Sequence, residues 1–102
     1  MVRGSTPTFT FTIPFDVSLI DKLYVTVEQT VEGEKIQVEK SKEQCTLKGN
    51  QIECKLTQED TLSFKESYHV LIQLRVLTAG GDSLVSKVFK KSASKLLKEG
   101  VI

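Results

Sequence analysis

The sequence has few of the residues from which metal sites and aromatic binding platforms are built. Its 102 residues include no tryptophan, two tyrosines, one histidine and two cysteines. A structural zinc site of the common kind needs four histidine or cysteine ligands, more than these residue types supply here. The formal net charge is only +1. No strong field would therefore draw the chain to nucleic acid or to a membrane surface, and we expect neither partner.

Long apolar runs are also missing. No stretch approaches the length of a membrane-spanning helix, and the opening residues MVRGSTP do not begin an apolar run of signal-peptide length. We therefore expect the chain to be synthesised and folded in the cytoplasm. Later incorporation into a particle, or export by an unusual route, stays open at this point.

Catalytic motifs are absent as well. The serines form no Gly-x-Ser-x-Gly nucleophile elbow, and Gly80-Gly81 is too short to cradle a phosphate. His69 stands alone, without cysteines or carboxylates at metal-ligand spacing. We therefore expect a protein that is not an enzyme, with no catalytic residues, no cofactor and no metal ion.

What the sequence does contain is a series of short alternating or β-branched segments separated by turn-forming residues. They span residues 8–13, 22–28, 35–39, 45–47, 51–56, 69–77 and 83–89. Such spacing is typical of β-sandwiches and barrels, and the length suits a single hydrophobic core. The sequence predicts one domain over residues 1–102, an antiparallel immunoglobulin-like β-sandwich of about seven strands. Residues 1–7 are expected to be flexible.

The best-defined local feature is a hairpin around residues 48–51. Gly49 followed by Asn50 suits a two-residue type II′ turn, because glycine accepts the positive φ at the first central position. This turn places Leu47 opposite Ile52. Cys45 then faces Cys54 in a non-hydrogen-bonded pair, where Cα atoms are roughly 4.5–5.5 Å apart, within the range of a disulfide.

The two cysteines allow two interpretations. A disulfide would close a short loop and add about 2–3 kcal/mol of stability in the chain-entropy model. The alternative, favoured by a reducing cytoplasm, is a pair of reduced thiols packed in the core. A redox function is not expected. Cys45 and Cys54 do not form a CxxC motif, no basic residue is evidently beside them, and burial raises the pKa of a thiol.

Residues 57–62 interrupt the β pattern and predict one short helical turn. Thr57 suits the N-cap position, with Asp60 three residues later as its capping-box partner. Glu59 and Asp60 could instead be interpreted as an acid–base pair. Adjacent side chains diverge on a helical turn, so capping is the favoured interpretation.

The segment 69–77 is apolar on both faces, which predicts a central strand with its second face partly covered. The register of the following hairpin stays open. A two-residue Gly80-Gly81 loop pairs Val76 with Val85 but buries Lys87, whereas a loop one residue longer or shorter turns Leu84 inward.

Lysines cluster near the C-terminal end, at positions 90, 91, 95 and 98. A short amphipathic helix ending at Gly100 is expected there. The lysines could bind phosphate, but no aromatic residues are interleaved with them, and lysines on an edge strand also prevent aggregation. Nucleic-acid binding is therefore not predicted.

Several stretches are similar to a known group of proteins. They are TFTFTIPFD at 8–16, LTQEDTLSF at 56–64, IQLRVLT at 72–78 and the closing GVI at 100–102. Together they resemble small, mostly uncharacterised phage and prophage proteins of Gram-positive gut bacteria. The resemblance implies a β-sandwich encoded among virion or tail genes, and it carries no active-site residues over.

The sequence thus favours a non-enzymatic structural or interaction module, acting through a protein partner or through self-association. The candidate contact residues are Tyr24, Leu71 and Leu77, each at a position where strand alternation points away from the core. The alternative for each is packing beneath a loop or the C-terminal segment. Competing functions are a carbohydrate-binding module, which would use its tyrosines, and a small cytoplasmic adaptor or inhibitor.

Overall fold

The computed structural model describes residues 1–102 and shows two antiparallel β-sheets that share one core. The strands are β1 Thr8–Thr12, β2 Ile20–Val31, β3 Glu34–Ser41, β4 Thr46–Lys48, β5 Gln51–Lys55, β6 His69–Thr78, β7 Ser83–Val85 and β8 Phe89–Ser92, with one helix, α1 Gln58–Leu62. Short 3₁₀ turns occur at Val17–Leu19 and Lys42–Gln44. The predicted fold class, an antiparallel β-sandwich with one short helical turn, is confirmed.

The two sheets differ in size. The smaller has three strands in the order β1-β5-β4. In the larger, β3, β2 and β6 lie side by side, and β7 and β8 both pair with the outer edge of β6. The chain passes from the larger sheet to the smaller through the 3₁₀ turn between β3 and β4, and returns through α1.

The core forms where the alternating apolar residues of both sheets meet. The buried side chains from the larger sheet are Ile20, Leu23, Val25, Val27, Val70, Ile72, Leu74 and Val76. Those from the smaller sheet are Phe11, Ile52 and Cys54. Phe64, just after α1, is fully buried and helps to close one end. The period of two residues explains why each strand buries one face only.

The predicted hairpin is confirmed. Gly49 has φ +60°, the left-handed value that favours glycine at this position. β4 and β5 pair with Lys48 opposite Gln51 and Leu47 opposite Ile52. The capping box of α1 is confirmed too: Thr57 Oγ1 accepts from the Asp60 amide at 3.1 Å.

The last hairpin contains both of the registers that the sequence left open, one in β7 and the other in β8. In β7, Leu84 lies opposite Val76 and turns toward the core. In β8, Phe89 lies opposite Ile72, as in the register set by a two-residue Gly80-Gly81 loop. Three residues, 86–88, therefore oppose two on β6, and this one-residue bulge keeps Lys87 exposed. The predicted strand 83–89 is accordingly two strands.

The helix predicted to end at Gly100 does not form, and this expectation was wrong. The segment is instead held by the N-terminal residues: Ser94 N donates to Met1 O at 2.8 Å, and Arg3 N donates to Ser94 O at 3.2 Å. These bonds fix extended backbone at the point where a helix would have to begin. The first seven residues, expected to be flexible, also bond elsewhere, with Gly4 N donating to Thr61 Oγ1 at 2.9 Å.

Candidate functional site

The outer face of the larger sheet carries a cluster of side chains that we call the sheet-face patch: Lys22, Tyr24, Arg75, Leu77 and Val85. They come from three neighbouring strands, β2, β6 and β7. Leu23, Val25, Leu74 and Val76, which lie next to them on β2 and β6, are buried, so strand alternation directs these residues outward.

The sheet register determines how the patch is arranged. Arg75 lies in the middle, opposite Tyr24 on one side and Val85 on the other, and Lys22 lies opposite Leu77. The three apolar or aromatic members are exposed by 44% at Tyr24, 36% at Leu77 and 50% at Val85. A shallow depression of about 180 Å³ runs between the β2 and β6 residues of the patch.

The structure brings together two of the three predicted contact residues. Tyr24 and Leu77 lie in the patch, at diagonal positions of neighbouring strands. Leu71 is on the same sheet face but farther along β6, where it is half-buried opposite Glu28. It lines a separate depression of about 250 Å³ with Val88.

Sequence reasoning did not select Arg75 or Val85. Arg75 could have been found, because it alternates with the inward residues of the segment 69–77. Val85 could not, since its face depends on the register of the last hairpin, which the sequence leaves open.

Charge in the patch has one sign. The three ion pairs of the molecule are Arg3–Glu99, Lys35–Glu28 and Lys40–Asp60. Lys22 and Arg75 take part in none of them, and the depression between them is lined by no carboxylate. The patch is therefore an apolar and aromatic surface with two unpaired cations.

The two tyrosines do not form a joint platform. Tyr24 pairs with Arg75 near the C-terminal end of β6, whereas Tyr68 directly precedes the first residue of that strand. Seven residues of extended chain separate Arg75 from Tyr68, roughly 23 Å at strand rise. A sugar ring could therefore stack on only one of them.

Cys45 and Cys54 lie where the hairpin register predicts, one step beyond the Thr46–Glu53 pair. Both thiols are free, with Cys45 half-buried and Cys54 fully buried. A hydrogen bond between the two side chains lowers the pKa of Cys45 and raises the pKa of Cys54. Burial adds to the rise at Cys54.

A basic residue does lie close to this pair, contrary to the expectation from sequence. The hydrogen bond from Cys54 lowers the pKa of Cys45 most strongly, burial opposes it, and the positive charge of Lys40, near the end of β3, lowers this pKa by a smaller amount. Lys40 Nζ is 2.8 Å from Asp60 Oδ2, and both side chains are largely shielded, at 12% and 17% exposure. The same carboxylate accepts from the Thr57 amide at 2.8 Å.

No group of three or more histidine, cysteine or acidic side chains is arranged to hold a metal ion. His69 is exposed at the first residue of β6, opposite Ser92. No helix of the molecule has both the length and the apolar character needed to cross a bilayer. Searches of protein-family models, curated proteins and solved structures found no match to this chain.

Proposed function

We propose that this β-sandwich is a non-enzymatic interaction module that binds a protein partner through the sheet-face patch. The partner surface would be apolar, with carboxylates placed to meet Lys22 and Arg75. The resemblance described above suggests the setting, a virion or tail-associated component of a phage or prophage particle. The observation that carries the proposal is an apolar and aromatic patch that holds two cations without ion-pair partners.

The composition of the patch supports a protein partner. Tyrosine and arginine are the residue types that most often dominate binding energy at protein interfaces, and here they lie side by side in register. Leu77 and Val85 add apolar area next to them. An aromatic ring beside an unpaired guanidinium can both bury surface and orient a carboxylate.

The charge of the patch favours a different protein over a second copy of this chain. Two copies docked patch to patch would bring together four cations, and the only carboxylates lining a neighbouring depression, Asp21 and Glu43, lie outside the patch. Like charges at a contact cost energy, and an acidic partner removes that cost. Self-association is therefore the competing outcome of the test.

The terminal segments leave the patch free. The N-terminal residues and the C-terminal segment pack on one another, through the Val2–Ser94 bridge and the ion pair from Arg3 to Glu99. Ile102 N donates to Gln58 in α1 at 2.8 Å, so the end of the chain lies beside the helix. Tyr24 and Leu77 are accordingly exposed at the surface.

Mass spectrometry of particles purified after prophage induction in the source strain tests the setting. We expect the chain at many copies per particle. Its absence from particles, together with abundance in the lysate, would refute the virion assignment and favour an intracellular adaptor.

A double variant, Tyr24→Ser with Leu77→Ser, tests the surface. We expect its incorporation into particles to fall at least tenfold, because both residues supply apolar or aromatic contact area next to Arg75, in the middle of the patch. Tyr68→Ser is the matched control, since Tyr68 is similarly exposed, at 40%, and lies far from the patch. Equal incorporation of wild type and double variant would overturn the proposed surface. A dimer of the purified chain that the double variant abolishes would replace the acidic partner with a second copy.

A further inference from the structure

We propose that Cys45 and Cys54 form a thiol redox site, in which they are converted reversibly to a disulfide by exchange with a small disulfide such as oxidised glutathione. Cys45 is the sulfur that attacks first, and Cys54 is the sulfur that resolves the mixed disulfide. The site lies between β4 and β5 and shares no residue with the sheet-face patch, so this inference does not rest on the proposed function.

The hairpin register places the two residues opposite one another, one step beyond the Thr46–Glu53 pair. Lys48 and Gln51 flank the two-residue turn and form the hydrogen-bonded pair of the hairpin. Counting outward, Cys45 and Cys54 fall in a non-hydrogen-bonded position, where facing Cα atoms are roughly 4.5 Å apart. Disulfides accept Cα separations in this range. The bond can therefore form with little movement of the chain.

Burial gives the two sulfurs different roles. Cys54 lies in the central strand of the smaller sheet, between Phe9 on β1 and the end of β4, and is fully buried. Cys45 precedes β4 at the sheet edge and is half-buried. A small disulfide in solution can reach Cys45 only, whereas Cys54 can reach only the sulfur of Cys45.

The surroundings of the pair favour a thiolate on Cys45. Lys40 projects from β3 with its ammonium group held against Asp60, at 2.8 Å, and shielded from solvent. A neighbouring cation and partial exposure are the two features that distinguish reactive cysteines from structural ones. The hydrogen bond from the Cys54 thiol acts in the same direction. Asp60 is itself fixed by the capping box with Thr57, so the start of α1 determines where the Lys40 ammonium group is held.

The exchange proceeds in two balanced steps. The Cys45 thiolate attacks one sulfur of oxidised glutathione, the S–S bond of glutathione breaks, and one glutathione leaves as a thiolate that takes up a proton. The Cys54 thiol loses its proton to solvent and attacks the Cys45 sulfur, which releases the second glutathione thiolate. The protein thus loses two electrons and two protons, and oxidised glutathione is reduced to two thiols.

The position of the bond gives it a structural effect. The segment between β3 and β4 carries the chain from the larger sheet to the smaller, and Cys45 is the residue that closes its 3₁₀ turn. Oxidation would tie the end of this crossover to the central strand of the smaller sheet. In a reducing cytoplasm such bonds are usually transient, which is the behaviour expected of a redox-responsive site.

The experiment incubates the native full-length protein in glutathione buffers of increasing oxidised fraction, with intact mass and thiol content as readouts. We expect the wild type to lose two hydrogens and both thiols, and to recover them in reduced glutathione. Cys54→Ser should stop at an adduct of one glutathione, and Cys45→Ser should keep its remaining thiol unreacted. A Lys40→Met variant should form the disulfide at least several-fold more slowly. Lys55→Met is its control, because Lys55 follows Cys54 in β5 but is exposed.

Three results would overturn the proposal. One is wild-type protein that keeps both thiols in the most oxidising buffer. Another is equal reactivity of Cys45 and Cys54 in the two single variants, each checked by circular dichroism to be folded. The third is Lys40→Met reacting as fast as Lys55→Met, which would remove the ammonium group from the assigned site. None of these measurements depends on partner binding, so they are distinct from failure of the proposed function.

Discussion

At the scale of single residues, Gln29 is the clearest exception to the rule that the inward positions of the strands are apolar. It follows Leu23, Val25 and Val27 on the inward face of β2, and it is completely buried. Its amide nitrogen donates to Lys65 O at 2.7 Å, and its amide oxygen accepts from Lys65 N at the same distance. The side chain thus forms with the Lys65 backbone the two hydrogen bonds that a neighbouring strand would otherwise supply. It holds the loop between α1 and β6 against the core.

This arrangement predicts a specific cost for Gln29→Leu. Leucine fits the volume but leaves both backbone groups of Lys65 without partners, so the free energy of unfolding should fall by about 2–3 kcal/mol. Guanidinium denaturation measures the change. Gln37→Leu is the control, because Gln37 is exposed on β3 and should change stability by no more than about 0.5 kcal/mol. Similar losses in both variants would contradict this role of Gln29.

Asp60 gives the stability a pH dependence. Burial tends to raise the pKa of its carboxyl, but hydrogen bonds from Lys40 and Thr57 outweigh burial and lower the pKa overall. A lowered folded-state pKa means that Asp60 stabilises the fold above the ordinary carboxyl pKa, and that this stability disappears as the pH falls through the folded-state value.

We therefore predict that Asp60→Asn destabilises the protein at neutral pH and that the difference from wild type shrinks in acid. Denaturation curves at a series of pH values give the two free energies of unfolding. Glu59→Gln, which changes the exposed neighbouring carboxylate outside the ion pair, is the control variant. A constant difference between wild type and Asp60→Asn across the acid range would exclude the ion pair with Lys40 as its source.

At the scale of elements, the bulge between β7 and β8 lets both Leu84 and Phe89 pack against the core from the same sheet edge. Leu84 and Phe89 both face the core although their separation along the chain is odd, which an unbroken strand would not allow. Ser86 fills the gap in the ladder: its amide donates to Leu74 O, and its hydroxyl accepts from Leu74 N, both at 2.9 Å.

Ser86→Ala should therefore weaken this edge. The Leu74 amide would lose its acceptor, and we expect a cost of about 1–2 kcal/mol with faster hydrogen exchange at Leu74. Exchange measured by NMR, with Ser83→Ala on the exposed face of β7 as control, provides the check. Unchanged protection of the Leu74 amide would show that the hydroxyl does not complete the ladder.

At the scale of the whole molecule, the domain is a flattened body. It measures 45 × 30 × 17 Å, with a Cα radius of gyration of 14.5 Å, compared with about 13 Å for a compact domain of this length. The long β2–β3 hairpin accounts for much of the excess, since β2 alone has twelve residues. Such a shape presents a broad outer sheet face, which is where the sheet-face patch lies.

Oxidation of Cys45 and Cys54 should stabilise this molecule as a whole. Closing a loop of this length adds about 2–3 kcal/mol in the chain-entropy model, provided that the bond forms without strain. The midpoint of guanidinium denaturation should rise after treatment with oxidised glutathione and return after reduction. Cys45→Ser, treated identically, should show no rise, and a rise in that variant would point to another effect of the oxidant.

Local interactions explain the parts of the fold that the sequence predicted. The Gly49 turn and the Thr57 capping box each depend on residues within a few positions of one another, so their geometry follows from residue type and spacing. The same holds for the alternating segments, whose inward faces form the core. The hairpin register also placed Cys45 opposite Cys54, and it did so without any long-range contact.

Long-range contacts decided the rest. Lys40 meets Asp60 beside the cysteines because β3 and α1 pack at the same end of the sandwich, across twenty positions of sequence. The pairing of Arg75 with Tyr24 and Val85 depends on which strands are neighbours, and the terminal segment takes extended rather than helical form because Met1 and Arg3 bond to Ser94. The sequence by itself determined most of the strands, the Gly49 turn, the α1 cap and the facing cysteines, because these interactions join close neighbours along the chain. Only the tertiary structure decided the patch and the charge beside the thiols. Both depend on the packing of strands that are distant in the sequence. The free energy gained from that packing outweighs local conformational preference, and no local sequence pattern predicts which strands become neighbours.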